Sequence, residues 1–144
     1  MTLSKIKILT ICLLGAVLVG SAYANSASVC PAPSALHFDK ATGTFSAAGG
    51  WVSNGGQVNV KMPLRFLSAT ITQAPNVPHN APQSAVACEY GNANDTNKYA
   101  QFYVTSPDID FAKPLTNAWG PKQVWAYSCT GTSNRDCPFE ILVG

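Results

Sequence analysis

Few side chains in this sequence have the chemistry of a general base or a nucleophile. Histidine is the usual base near neutral pH, and the 144 residues contain only two, His37 and His79. His37 lies between Leu36 and Phe38 in a predicted strand, whereas His79 lies in a proline-rich segment. The chain has no Gly-x-Ser-x-Gly nucleophile motif. His79 is therefore the histidine that we select as a candidate functional residue.

One pair of carboxylates is close in sequence. Asp108 and Asp110 are separated by Ile109, so an extended backbone would point both side chains to one face. Such a pair could support glycoside hydrolysis. It could also bind calcium, but a calcium site needs about six or more oxygen ligands, and one pair of carboxylates does not supply them. The simpler interpretation is a solvated loop in which Asp108 caps a turn. We therefore expect no metal and no cofactor, and a small secreted hydrolase using Asp108 and Asp110 or His79 is an alternative function.

Aromatic residues are the more abundant candidates for binding. An exposed aromatic ring offers apolar contact area to a sugar or a peptide with little loss of entropy. Trp125 lies in an alternating run and is predicted to be core, whereas Trp51 borders a glycine-rich turn. Trp119 lies in a predicted loop and is the tryptophan that we expect to be most exposed. The candidate ligand or partner contacts are Trp119, Trp51 and His79.

The cysteines indicate disulfide bonds. Besides Cys12 in the N-terminal apolar run, the chain has Cys30, Cys88, Cys129 and Cys137. An even number in a small exported chain predicts two disulfides, whereas a metal site would need closely spaced ligand pairs that are absent. Three pairings are possible. The short separation of Cys129 and Cys137 favours a bond between them, which leaves Cys30 with Cys88.

The N-terminus has the pattern of an export signal. Two lysines precede an apolar run from Ile8 to Gly20, and Ala22-Tyr23-Ala24 supplies an Ala-x-Ala cleavage site. The run is shorter than the roughly 20 residues that a membrane-spanning helix needs. We therefore predict that residues 1–24 are a cleaved signal peptide. Residues 25–144 would form a secreted or periplasmic protein with no membrane span.

Composition excludes other classes of protein. The formal charge of +2 comes from lysines in the predicted leader, because the rest of the chain has seven basic and seven acidic residues. A nucleic-acid partner requires a basic face, so none is expected. Hydrophobic residues make up 47% of the chain, which excludes an intrinsically disordered protein. The length suits one small domain.

Hydrophobic patterning predicts an all-β fold. Short alternating runs rich in β-branched and aromatic residues are separated by Gly, Pro and Asn, and no segment has a helical period of useful length. In one run, Leu67, Ala69 and Ile71 are expected on one face. The pattern predicts a small antiparallel β-sandwich with two disulfides. The predicted strands are 36–38, 44–46, 51–52, 58–62, 65–72, 86–90, 99–104, 124–129 and 139–143.

Two proline-rich segments are expected to be loops. Residues 73–84 and 106–121 each contain three prolines, which exclude a central strand, and Ser106 could cap a short helical turn. Binding residues gather on loops that a rigid scaffold holds. We therefore expect Trp119 and these two loops to form the contact surface. A second alternative is a protease inhibitor that presents residues 76–82.

An ordered set of cysteine and aromatic motifs lies along residues 29–139. The motifs are Cys30-Pro31, Gly50-Trp51, Cys88-Glu89-Tyr90, Trp119, Tyr127-Ser128-Cys129 and Asp136-Cys137-Pro138-Phe139. The set resembles a family of small exported proteins of uncharacterised function from Legionella, Coxiella and relatives. The resemblance implies an exported, virulence-associated protein of an intracellular bacterium and supplies no catalytic residues. We expect a monomeric, non-enzymatic binding module with a protein or glycan partner.

Overall fold

The fold is all-β. The computed structural model describes residues 27–54, 60–72, 86–94, 101–106, 109, 111–123 and 125–142. These residues form two antiparallel sheets, two disulfides and two short 3-10 helices, Pro33–Ala35 and Asn134–Asp136. The prediction of an antiparallel, sandwich-like fold with two disulfides is confirmed.

The larger sheet has seven strands. They are β2 (His37–Asp39), β3 (Thr44–Ala47), β4 (Trp51–Ser53), β5 (Leu64–Thr72), β6 (Val86–Asn92), β7 (Phe102–Thr105) and β9 (Ala126–Thr130). Their spatial order is β2-β3-β4-β7-β6-β5-β9, and every pairing is antiparallel. The smaller sheet has the order β1-β10-β8. Its strands are β1 (Ala27–Ser28), β8 (Ala112–Pro114) and β10 (Phe139–Ile141).

A row of aromatic rings crosses the core side of the larger sheet. Phe45 stacks on Phe102 with 4.3 Å between ring centroids, and Tyr90 lies 5.8 Å from both Phe102 and Phe66. The Tyr90 hydroxyl donates a 2.6 Å hydrogen bond to the Pro31 carbonyl. Burial of the ring raises the pKa of Tyr90. These contacts join four strands of the sheet to the segment that follows β1, because aromatic pairs add to the stability gained from burial alone.

The two disulfides have the pairing that cysteine spacing favoured. Cys30 bonds to Cys88 and Cys129 bonds to Cys137, and all four residues are buried. Cys30 follows β1 of the smaller sheet and Cys88 lies in β6 of the larger one, so this bond ties the two sheets together. The bonds span 58 and 8 positions of sequence. By loop-closure entropy they stabilise the fold by about 4 and about 2.5 kcal/mol.

A β-bulge in β5 changes which of its residues face the core. The register between β5 and β6 shifts between Phe66 and Ser68, which leaves Leu67 as the extra residue. Phe66, Ala69 and Ile71 are therefore buried, whereas Leu67 is only half-buried. The expectation that Leu67 shares the core face with Ala69 was wrong, because simple alternation does not anticipate an inserted residue.

Other differences concern short strands. Residues 60–62 of the predicted strand 58–62 are irregular and precede a cis Met62–Pro63 peptide bond. Strands β1 and β8 were not predicted, and β8 lies within the expected loop 106–121. Its last residue, Pro114, is tolerated because β8 is an edge strand. The expected leader 1–24 and loop 73–84 lie outside the described residues.

Two features bear on the compartment. Two buried disulfides fit an extracellular or otherwise oxidising environment. Within the part of the chain that the structure describes, no helix is long and apolar enough to cross a membrane.

Candidate functional site

Trp119 is not a surface residue. Its exposed fraction is 5%, and its indole Nε1 donates a 2.8 Å hydrogen bond to the Pro138 carbonyl. Its backbone also bridges to Cys129 in β9, and the next residue, Gly120, donates to the Ser128 carbonyl. The expected exposure was wrong because this part of the loop pairs with the edge of the larger sheet. Trp119 is a structural link between β9 and the segment before β10.

Trp125 has the opposite outcome. It was predicted to be core but is 52% exposed. Gln123 and Ala126 exchange two backbone hydrogen bonds of 2.9 Å, so Trp125 lies in a tight turn immediately before β9. The predicted strand 124–129 began too early, and alternation within it assigned this residue to the wrong environment.

Trp51 is buried in β4 and lines a pocket that is open to solvent on one side. The pocket has a volume of about 370 Å³ and is lined by residues of both sheets, including Trp51, Ile141 and Ile109. Ser106, expected to cap a helical turn, donates its hydroxyl to the Gly49 carbonyl at the rim of this space. Trp51 contributes to the core with its buried ring, and its role as a ligand or partner contact stays a prediction.

The remaining candidate residues lie mostly outside the described part of the chain. His79, Asp108 and Asp110 lie outside the described residues, so the hydrolase and inhibitor alternatives stay predictions. His37 is exposed on the edge strand β2. Among the described residues, no group of three or more His, Cys, Asp or Glu side chains is placed to hold a metal ion.

The outer side of the smaller sheet carries exposed apolar side chains. Lys113 in β8 lies opposite Glu140 in β10, and the backbone of Leu142 bonds to Phe111 one step further along the same two strands. Positions two apart share a side of a sheet, so Phe111, Leu115 and Leu142 flank the Lys113–Glu140 pair. All three are exposed, Phe111 by 55%. We call these three residues the apolar face.

An ion pair occupies the centre of the apolar face. Lys113 Nζ lies 2.6 Å from Glu140 Oε2. Glu140 is only 4% exposed, whereas the Lys113 side chain is half-exposed. A buried carboxylate is costly unless a partner neutralises it, and Lys113 supplies that charge from the neighbouring strand. The centre of the face therefore has no net charge.

The outer side of the larger sheet is different. Tyr103 in β7, Glu89 in β6, Ser68 in β5 and Thr130 in β9 are successive cross-strand partners. Ser68 Oγ donates a 2.6 Å hydrogen bond to Glu89 Oε2, and the Tyr103 hydroxyl also bonds to Glu89. Partial burial and the neighbouring Glu89 carboxylate raise the pKa of Tyr103. Tyr103 is 51% exposed, so its ring is available at the surface.

A second row of small side chains runs beside the first. It crosses five strands with mainly hydroxyl and methyl groups, and we call the two rows together the polar face. The second row contains Val52, Thr105, Ala87, Thr70 and Ser128. The buried partners of these strands, such as Cys88 and Val104, point to the core. Strand alternation thus gives the larger sheet one apolar side and one hydroxyl-rich side.

Comparison with known proteins identifies no relative. No family model, no curated protein and no solved structure matches this chain. The resemblance to the exported family of Legionella and Coxiella therefore stays a prediction, and function has to be argued from the surfaces themselves.

Sequence reasoning missed both faces, although each had a local signal. Phe111, Lys113 and Leu115 alternate with Ala112 and Pro114, which is the pattern of an edge strand. The prolines in this segment favoured a loop instead. For the polar face, the strands that carry it were predicted with shifted ends, and the signal was the alternation of outward polar residues with buried ones within them.

Proposed function

We propose that the protein is an exported, non-enzymatic binding module that holds a protein partner on its apolar face. The observation that carries the proposal is the exposure of the neighbouring residues Phe111 and Leu142 on one side of a neutralised ion pair and of Leu115 on its other side. Contiguous exposed apolar side chains on a small soluble domain are typical of contact surfaces. The predicted signal peptide and the two disulfides support the assignment to an exported protein.

The chemistry of the apolar face favours a protein over a sugar. Exposed apolar side chains around a neutralised charge pair resemble a protein–protein interface, where aromatic residues are enriched and unpaired charges are depleted. A sugar would need exposed hydrogen-bonding groups, and Glu140 is already bonded to Lys113 and buried. Phe111, as the most exposed ring, is the expected anchor of the contact.

Site-specific photo-crosslinking tests this proposal. A photo-reactive phenylalanine analogue at position 111 keeps the ring in place and reports on any protein within contact distance. The full chain carrying it would be exported by its own cells and irradiated in the presence of envelope or host-cell fractions. We expect one or a few discrete protein adducts. The matched control has the same analogue at position 62, because Met62 is equally apolar and 61% exposed but lies outside the apolar face.

Two results would contradict the proposal. One is the absence of a protein adduct from position 111 in every fraction. The other is an identical set of adducts from positions 111 and 62, which would indicate non-specific contact. A Leu142→Ser change in the chain that carries the analogue is expected to weaken the adduct, since it removes a neighbouring part of the same face.

A further inference from the structure

We propose a second binding site, for a neutral saccharide, on the polar face at Tyr103, Glu89 and Ser68. This site is independent of the apolar face, because it lies on the other sheet. Tyr103 supplies an exposed ring, and Glu89 supplies a carboxylate in the neighbouring strand. Cross-strand partners have Cβ atoms about 5 Å apart, so one ligand ring stacked on Tyr103 lies beside Glu89.

The hydrogen bonds within this row preorganise the site. Glu89 accepts from Ser68 Oγ at 2.6 Å and from the Tyr103 hydroxyl, which fixes the carboxylate between the two side chains. A carboxylate has about four acceptor positions, so Glu89 retains capacity for ligand hydroxyl groups. A ring held by a hydrogen bond loses less conformational freedom when a ligand binds.

The surrounding residues favour a polyhydroxylated ligand. Thr70, Thr105 and Thr130 add hydroxyl groups that both donate and accept hydrogen bonds, and Val52 adds an apolar contact near the ring. A sugar presents the same combination, because its C–H groups stack on an aromatic ring while its hydroxyl groups bond to polar neighbours. The polar face therefore matches a sugar in both kinds of contact.

Charge and backbone pairing argue against the other ligand classes. The two rows contain a single charged side chain, Glu89, which would repel a sulfated or uronic-acid chain. Arg65 lies one row further along, paired with Gly91, so the region has no excess positive charge to attract a polyanion. Strands β5, β6 and β7 each pair with a strand on both sides, so an extended peptide cannot add to the sheet at this point.

Titration with defined oligosaccharides tests the site. The probes are hexasaccharides of glucose, mannose and N-acetylglucosamine, with a heparin-derived hexasaccharide as the acidic comparison, and binding is measured by calorimetry and by saturation-transfer NMR. We expect a neutral probe to bind and the heparin fragment not to bind. Tyr103→Ala should weaken the affinity by about fivefold, since stacking contributes roughly 1 kcal/mol.

Further variants separate the roles of the ring and the carboxylate. Tyr103→Phe keeps the ring and should retain most of the affinity, whereas Glu89→Gln should lower it without unfolding the exposed site. Phe111→Ala, on the other sheet, is the matched control and should bind as the unmodified protein does. The proposal is wrong if no neutral probe binds, if the heparin fragment binds best, or if Tyr103→Ala leaves the affinity of a bound sugar unchanged. None of these results alters the crosslinking at position 111.

Discussion

The outer sides of the two sheets differ in the side chains that surround a central carboxylate. Each has one carboxylate in a central strand, Glu140 in β10 and Glu89 in β6. Glu140 is neutralised by Lys113 and surrounded by apolar side chains, whereas Glu89 is held by two hydroxyl groups and surrounded by small polar ones. The ion pair of Glu140 therefore lies in a surface suited to apolar contacts, whereas the hydroxyl-bonded Glu89 lies in a surface suited to hydrogen bonds.

The comparison also shows where specificity resides. The core sides of both sheets are mainly apolar, with Ser53 and Asn92 as buried polar residues of the larger sheet, and a largely apolar core would serve any sandwich-like fold. Only the outward positions differ, and they differ in kind. An apolar surface excludes water from a protein contact, whereas a hydroxyl-rich surface exchanges hydrogen bonds with a ligand. One small domain can therefore present two chemically distinct surfaces.

The disulfide between the sheets gives the strongest test of whether the two faces belong to one cooperative unit. Replacing Cys30 and Cys88 together with Ala should lower the free energy of unfolding by about 4 kcal/mol, because the bond closes a long loop of the unfolded chain. Denaturant unfolding followed by Trp fluorescence and by far-UV circular dichroism measures the change. Coincident transitions in the variant would show that the sheets still unfold together, whereas separate transitions would show that this bond couples them.

Trp119 provides a smaller test of the link between the sheets. Trp119→Phe removes the donor to the Pro138 carbonyl, which still accepts from the Leu115 N–H at 3.2 Å. We expect a loss of about 1–2 kcal/mol in unfolding free energy, from the hydrogen bond and the reduced ring volume. The matched control is Trp125→Phe, which is exposed and should change stability by less than about 0.5 kcal/mol. Equal losses in the two variants would contradict the structural role of Trp119.

The sequence predicted the core side of the sheets better than the outer side. In β6, Val86, Cys88 and Tyr90 alternate with smaller or polar residues, and all three are buried as alternation requires. The disulfide pairing is the one of three that cysteine spacing favoured. The alternation in β6 is a local pattern, so a single sequence contains the information that determines it.

The remaining errors depend on contacts between distant residues. Trp119 is buried because its segment pairs with β9 and its indole N–H bonds to a carbonyl 19 positions away, and nothing near Trp119 in sequence indicates either partner. The bulge at Leu67 depends on the register with β6, which begins many residues later. The apolar face exists only once β8 and β10 pair. Tertiary context thus decided the surfaces that matter most for function.

The pH dependence of Tyr103 tests the link between the ring and the carboxylate on the polar face. The folded-state pKa of Tyr103 is raised above 10.0 by burial and then by Glu89. Its contribution to stability is complete below pH 10 and is lost as pH rises through the folded-state pKa, because the unfolded chain releases its proton first. Glu89→Gln removes the negative charge, so the pKa of Tyr103 should fall towards its usual value.

The measurement is a spectrophotometric titration of the phenolate band. Subtracting the titration of Tyr103→Phe isolates this residue from the other tyrosines, and the same subtraction in the Glu89→Gln background gives the shifted curve. An unchanged midpoint in that background would mean that Glu89 does not interact with the Tyr103 hydroxyl, and the preorganised row would then be absent.

The apolar face should contribute little to stability for its size, and this sharpens the contrast between the two surfaces. Phe111 and Leu142 are 55% and 38% exposed in the folded protein, so changing both to Ser removes only part of their apolar area from the interior and should lower the unfolding free energy by about 1–2 kcal/mol. The same change should reduce the fluorescence of 8-anilinonaphthalene sulfonate bound to the native protein, while Val52→Ser on the polar face should not. If the double variant were instead destabilised by several kcal/mol, these side chains would be packed against the rest of the chain, and the face would belong to the core and not to a partner.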